Sequence, residues 1–256
     1  MIDRELVKRE FKAYVSDYDI NDEKIRLKVV HTYKVAENCE RIALSIGLPS
    51  DDVDLAWVIG MLHDIGRFEQ LRRFHTFIDQ DSIDHAKFGA DLLFNEDLIS
   101  RFVTDTSCYP VIESAIRFHN YFILPDDMDE RTLLFSKIIR DADKTDIFRV
   151  AVEFSPAVVY DTTDEELKDA AISDEVLKAS LDHITVNKDI RKSPVDYIVS
   201  HISLVYGLYF PVSLKIVKEQ GYLQQAMSYR NDNPETNARF KLISDEVNRY
   251  IDEYGS

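Results

Sequence analysis

The chain has 256 residues, 45% of them hydrophobic, and its 31 basic and 47 acidic side chains leave a formal charge of −16. That balance excludes a DNA-wrapping surface, which needs clustered Lys and Arg to neutralise phosphates, but allows a small phosphorylated substrate held through a metal ion. With only 7 Gly and 7 Pro, the composition points to a mostly helical protein with few tight turns.

The first stretch, MIDRELVKREFKAYV, is charged throughout and lacks the apolar centre of a signal peptide. No later stretch approaches the roughly 18 apolar residues of a spanning helix. The expectation is a cytoplasmic protein with no membrane contact. Cys39 and Cys108 form no disulfide framework and read as free thiols.

Helical spacing recurs almost everywhere, so the fold class expected is all-α. Over residues 24–46, Leu27, His31, Val35, Cys39, Ile42 and Ile46 share one face, and Gly47 and Pro49 stop the helix. Ser50 is the expected N-cap of the next, with Asp51 and Asp52 favourable in its first turn. That helix runs through Leu55, Val58 and Leu62 into MLHDIGRF, where Gly66 ends it. Residues 67–81 lack a clear period and read as a loop. A third helix begins near Ser82 and aligns His85, Gly89 and Leu92. A fourth, near 110–122, aligns Ile112, Ile116 and His119 before Pro125. A fifth, from about Asp129, aligns Phe135, Ile139, Asp143 and Ile147.

Beyond Asp146 the character changes. Residues 161–193 are acidic with short helical patches. Residues 194–226 are helical and rich in Tyr and Phe, suited to a core or a homodimer surface. From Glu235 an exposed amphipathic helix is expected. No linker composition is visible, so the expected organisation is a helical metal-binding domain over 1–150 and a helical extension over 151–256 packed on it, with a separate second domain as the alternative.

His31, His85, His119 and Asp143 are polar residues on apolar faces, and the doublet His63–Asp64 ends an apolar run. Burying a carboxylate without a partner costs several kcal/mol, on the order given for uncompensated buried charges. Burying two beside several imidazoles makes sense if a cation neutralises them, and helical bundles build metal sites in this way. A donor set of imidazole nitrogen and carboxylate oxygen without thiolate suits Fe, Mn, Co, Ni or Zn, one or two ions per chain. His31, His63, Asp64 and Asp143 would hold one ion, leaving positions for water and substrate. His85 and His119 would serve a second, with Asp64 bridging the two.

The segments VVHTYKVA, GMLHDIGRF and RDADKTD resemble the HD superfamily of metal-dependent phosphohydrolases, over roughly residues 25–150. The resemblance implies a core of about five helices with converging metal ligands. It implies hydrolysis of a phosphomonoester, a nucleotide or a phosphodiester by a metal-activated water. By position, His31, His63, Asp64 and Asp143 match the family's ligands. Asp143 is preferred to Asp141 because it shares a face with Ile139 and Ile147 and precedes Lys144; Asp141 is expected exposed or behind the ligands.

DHAKFGADLL resembles the His-x-x-x-Gly element of binuclear members, among them the HD-GYP cyclic-dinucleotide phosphodiesterases, and IRFHNYF resembles their next histidine element. HD-GYP proteins usually carry a second histidine where this chain has Asn120, and no GYP-type segment is evident, which argues against that class. The set also resembles that of HD-fold mixed-valent diiron oxygenases, the alternative reading, which would act on a small organic substrate.

In the hydrolase reading Asp64 orients the water, Arg67 holds a phosphate bidentately, and Lys144 neutralises a phosphate oxygen. For Arg67 the competing expectation is a surface salt bridge. His75 is a general-acid candidate whose simpler reading is a surface histidine. His183 and His201 are expected to be structural or exposed. Gly60 and Gly89, inside helices, are expected at close helix contacts.

Overall fold

A computed structural model describes residues 2–255. It is all-α, with no strand among the described residues. The chain divides into two compact units, Met1–Asp143 and Lys144–Ser256. The division comes before the expected boundary at 150.

The first unit opens with α1 (Arg4–Val15), an element for which the sequence reading assigned no helix. Asp3 caps it by accepting from the Glu5 and Leu6 amides. Its buried stripe of Val7, Phe11 and Val15 sets the Phe11 ring against Tyr33 and Phe68. Next come α2 (Glu23–Ser45) and α3 (Ser50–Leu62), packed on each other with Gly60 of α3 against Ala36 and Cys39 of α2. Each fully buried Val, Leu or Ile of these two helices contributes about 1.5–3 kcal/mol. Gly60 permits the approach: a Cβ there would stand 2.7 Å from the Cα of Ala36. Two details differ from expectation. Ile46 lies past the helix end and is 39% exposed, and the residue before α3 is Pro49, which makes Ser50 its first residue.

The larger difference follows α3. Residues expected as a loop form α4 (Ile65–Phe74), so Gly66 does not stop a helix but sits in the first turn of one. Gly66 is there because α4 crosses α5 (His85–Phe94) at Gly89. A Cβ on Gly66 would meet the His85 carbonyl oxygen at 2.5 Å and the Gly89 nitrogen at 2.7 Å. The start of α5 at His85, three residues after the expected Ser82, is fixed by Asp84, which accepts from the Ala86 and Lys87 amides. Then α6 (Tyr109–Arg117) ends before His119, and α7 (Glu130–Glu153) carries Asp143.

In the second unit α7 continues from Lys144 and is followed by α8 (Pro156–Tyr160), α9 (Asp164–Lys168), α10 (Asp174–Leu181), α11 (Pro194–Ile202), α12 (Pro211–Gln220), α13 (Tyr222–Met227) and α14 (Pro234–Tyr254). Phe240, Ile243, Val247 and Ile251 of α14 join Val195, Val199, Ile202 and Phe148 in one core. Tyr206 belongs to it, stacked on His183 and edge-on to Tyr250, while Tyr197 and Tyr209 remain exposed. No helix of the described residues is long and apolar enough to cross a membrane.

Candidate metal centre

The doublet occupies a junction with no loop. His63 keeps helical angles, Asp64 alone departs (φ −104°, ψ 17°), and α4 begins at once. Asp64 thus stands where a helix usually takes a side-chain cap, yet its carboxylate makes no capping bond. It turns instead into the centre, 3% exposed.

Three histidines are aimed by their own ring N–H. His63 Nδ1 is 2.8 Å from the Gly60 carbonyl oxygen, and His119 Nδ1 is 2.7 Å from that of Ile116. His85 Nδ1 is 2.7 Å from Asp79 Oδ2. A carbonyl or carboxylate oxygen can only accept, so each Nδ1 carries the proton and each Nε2 presents a lone pair inward. This is the arrangement by which proteins orient histidine toward a metal. The His63 Nε2 is buried without a hydrogen-bond partner. The Nε2 atoms of His85 and His119 face each other at 3.1 Å. Two lone pairs at that separation repel unless a cation or proton lies with them. The residues therefore fit a divalent metal on grounds of donor type and direction.

Asp64 divides these donors into two groups. Its Oδ2 lies 3.7 Å from His31 Nε2 and 3.6 Å from His63 Nε2. Its Oδ1 lies 3.6 Å from His85 Nε2 and 3.9 Å from His119 Nε2. His31, His63 and Asp64 form one compact group able to hold an ion; Asp64, His85 and His119 form another. Asp143 Oδ1 adds to the first, 3.0 Å from His31 Nε2 and 3.8 Å from His63 Nε2. A third group, Asp79, Asp84 and His85, has a simpler explanation. Asp84 caps α5 and accepts from Asn120 at 2.9 Å, while Asp79 orients His85.

The electrostatics suit ligation at neutral pH. Burial pushes the His63 ring down to about 3 and the His85 ring, with Arg67 nearby, down to about 4, so both are neutral donors. Burial alone would raise Asp64 and Asp143. For Asp64 the Lys28 ammonium, with the Arg67 guanidinium beside it, outweighs it; for Asp143 the hydrogen bond to His31 does. Both carboxyls stay below the usual carboxylate range.

All six expected donors converge. Two expectations on α7 change in detail. Asp143, expected buried, keeps 18% of its side chain exposed, and Asp141, for which exposure was one expectation, is fully buried. The buried stripe of α7 runs through Ile138, Ile139, Ala142 and Thr145, which leaves Asp143 at its edge beside His31. Arg67 is not a surface residue. Its Nη1 is held by Gln70 Oε1, the Phe77 carbonyl and Asp79 Oδ1 at 2.7–2.9 Å, and its Nε, buried without a partner, is 3.7 Å from Asp64 Oδ1. The Lys144 ammonium donates to the Gly207 carbonyl at 2.7 Å and stands over the Tyr209 ring. His75 is an exposed left-handed residue ending α4. His183 bonds Glu246 at 2.6 Å, and His201 meets Tyr160.

Three contributors escaped the sequence reading. Lys28, on α2 ahead of His31, places its ammonium 2.7 Å from Asp64 Oδ2. Asp79 orients His85 from a stretch without period. Arg140, 3% exposed, gathers the carbonyls of His119, Tyr121 and Phe122 and so fixes the segment that carries His119.

Comparison with known proteins agrees with this geometry. The HD domain family matches residues 29–147, a span that contains all six donors. No match was found among curated proteins or among solved structures. The donor set is of the HD metal-site type, and residues 29–147 form an HD domain, which implies a metal-dependent hydrolase-type superfamily.

Proposed function

We propose that the chain is a metal-dependent phosphohydrolase, cleaving a phosphomonoester, nucleotide or phosphodiester bond, with His31, His63, Asp64 and Asp143 holding one divalent transition ion and His85 and His119 a second. The observation that carries this reading is the division of the Asp64 oxygens, one toward each pair of histidines. When bound, such ions lower the pKa of water toward neutrality and polarise a phosphoryl oxygen.

The chain's own residues do the rest. Asp64, kept ionised by Lys28 and Arg67, accepts a hydrogen bond from the attacking water and orients it. Asp79 holds the His85 proton on Nδ1, which keeps Nε2 as a donor atom. Arg67 offers its unpartnered Nε–H to the substrate while its Nη1 anchors residues 77–79. Lys144 takes part if it exchanges the Gly207 carbonyl for a phosphate oxygen.

The test is phosphate release across nucleotides, phosphomonoesters and phosphodiesters by protein loaded with Mn, Co, Ni, Fe or Zn. Turnover that disappears in Asp64→Ala supports the reading; no turnover by any metal-loaded form overturns it. Oxygen consumption with an organic substrate in the iron-loaded protein would put the diiron oxygenase reading in its place.

A further inference from the structure

Among the described residues, Lys28 is the one cation that reaches the oxygen of Asp64 facing His31 and His63. Its ammonium is 2.7 Å from Oδ2, and its side chain is 14% exposed. It projects from α2 at the position three before His31, hence from the same helix face. A lysine buried to this degree is stable only while an anion accompanies it. Here the anion is the carboxylate that both metal groups share.

That sharing has a consequence for Lys28. His31, His63 and Asp64 would hold a divalent ion on the side of this Oδ2, and its charge would compete with the ammonium for that oxygen. The lysine stem is flexible, and its head is a compact charge with rotatable donors. It can leave Oδ2 by turning about its own bonds, but it remains in a centre of low exposure and still requires an anion. The Phe77 ring, 5.3 Å from the ammonium, offers only a weak alternative partner. A substrate phosphoryl group brings the missing charge.

We infer that Lys28 is a substrate-binding residue, passing from Asp64 to a phosphoryl oxygen when the centre is loaded. This rests on the phosphohydrolase reading. It makes Lys28 a phosphate contact in addition to Arg67 and Lys144, and it assigns Lys28 no part in holding the metal.

The experiment measures binding of inorganic phosphate to metal-loaded protein by calorimetry, alongside metal content by elemental analysis, for wild type, Lys28→Met and Lys28→Arg. Loss of one charge-assisted contact weakens phosphate binding by about 10- to 100-fold in Lys28→Met. Metal content stays at the wild-type ratio, and Lys28→Arg retains part of the affinity. Wild-type phosphate affinity in metal-replete Lys28→Met overturns the inference and leaves the phosphohydrolase reading standing. Loss of metal from Lys28→Met together with loss of phosphate binding also overturns it, because Lys28 would then be supporting the ligands. A metal-replete wild type that neither binds phosphate nor releases it from any substrate overturns both.

Discussion

Gly66 and Gly89 meet with no space for a side chain: a Cβ on Gly66 would stand 2.7 Å from the Gly89 nitrogen and 2.9 Å from its Cα. Because the obstacle is backbone, α4 and α5 would have to separate to admit a methyl group. The same Cβ would be 2.5 Å from the carbonyl oxygen of His85. Gly66→Ala is therefore expected to destabilise the protein by about 2 kcal/mol or more, and to displace His85 from the centre. Thermal unfolding and metal content together check this. An alanine variant of wild-type stability and metal ratio would refute it.

Arg140 offers a second test of how the centre is built. Its guanidinium serves the carbonyls that follow α6, and Arg140→Met would leave the buried His119 carbonyl without that donor, together with the less buried ones of Tyr121 and Phe122. Each buried acceptor left without a donor costs about 1–3 kcal/mol. The expected outcome is a clear loss of stability and a weaker group around His119, with the His31 and His63 group retained. Metal titration of the variant would show one binding step kept and one weakened.

Asp79→Asn removes the charge from the partner of His85 Nδ1 while keeping the shape of the side chain. Outer partners of this kind are worth about 10- to 100-fold in metal affinity. Affinity should fall by that order in the group that contains His85. An unchanged titration would mean that the ring is held by packing alone.

The metal-free protein should lose stability on mild acidification. The His63 and His85 rings have ordinary values of 6.5 and are pushed down to about 3 and about 4 in the fold, chiefly by burial. Below pH 6.5 the unfolded chain takes up protons at both rings and the folded chain does not, so unfolding is favoured. The penalty grows by about 1.4 kcal/mol per pH unit for each ring. It is absent above pH 6.5 and stops growing near pH 3–4, where the folded rings protonate. Urea titrations at pH 7, 6 and 5 measure the slope, and replacing both histidines by Gln should flatten it.

Much of the centre was legible because His31, His63, His85, His119, Asp64 and Asp143 interrupt apolar patterns, and a polar residue in such a place needs a reason. What stayed hidden has physical causes too. Lys28 lies on the face of His31, but a charged residue in a helix reads as solvated until its partner is known. Asp79 sits in a stretch with no period to lean on. A glycine after a helix is either a stop or a close contact, and one chain alone does not tell which. Gly66, expected as the first, is the second, and α4 was expected as a loop because residues 67–81 show no clear period. The role of Arg140 depends on carbonyls of a distant segment, which no local pattern displays.

The single-residue bend at Asp64 bears on the choice of ion. A donor pair set on an elbow between two helices, with ring directions already locked by backbone carbonyls, has little conformational entropy to surrender when an ion arrives. Such a frame presents much the same cradle to each small divalent ion and has few means of closing differently around one of them. Discrimination should then track the intrinsic ranking of the first-row metals, with Cu and Zn ahead of Mn and Fe. The ion carried by protein from a cell would in that case report metal supply there more than preference by the fold.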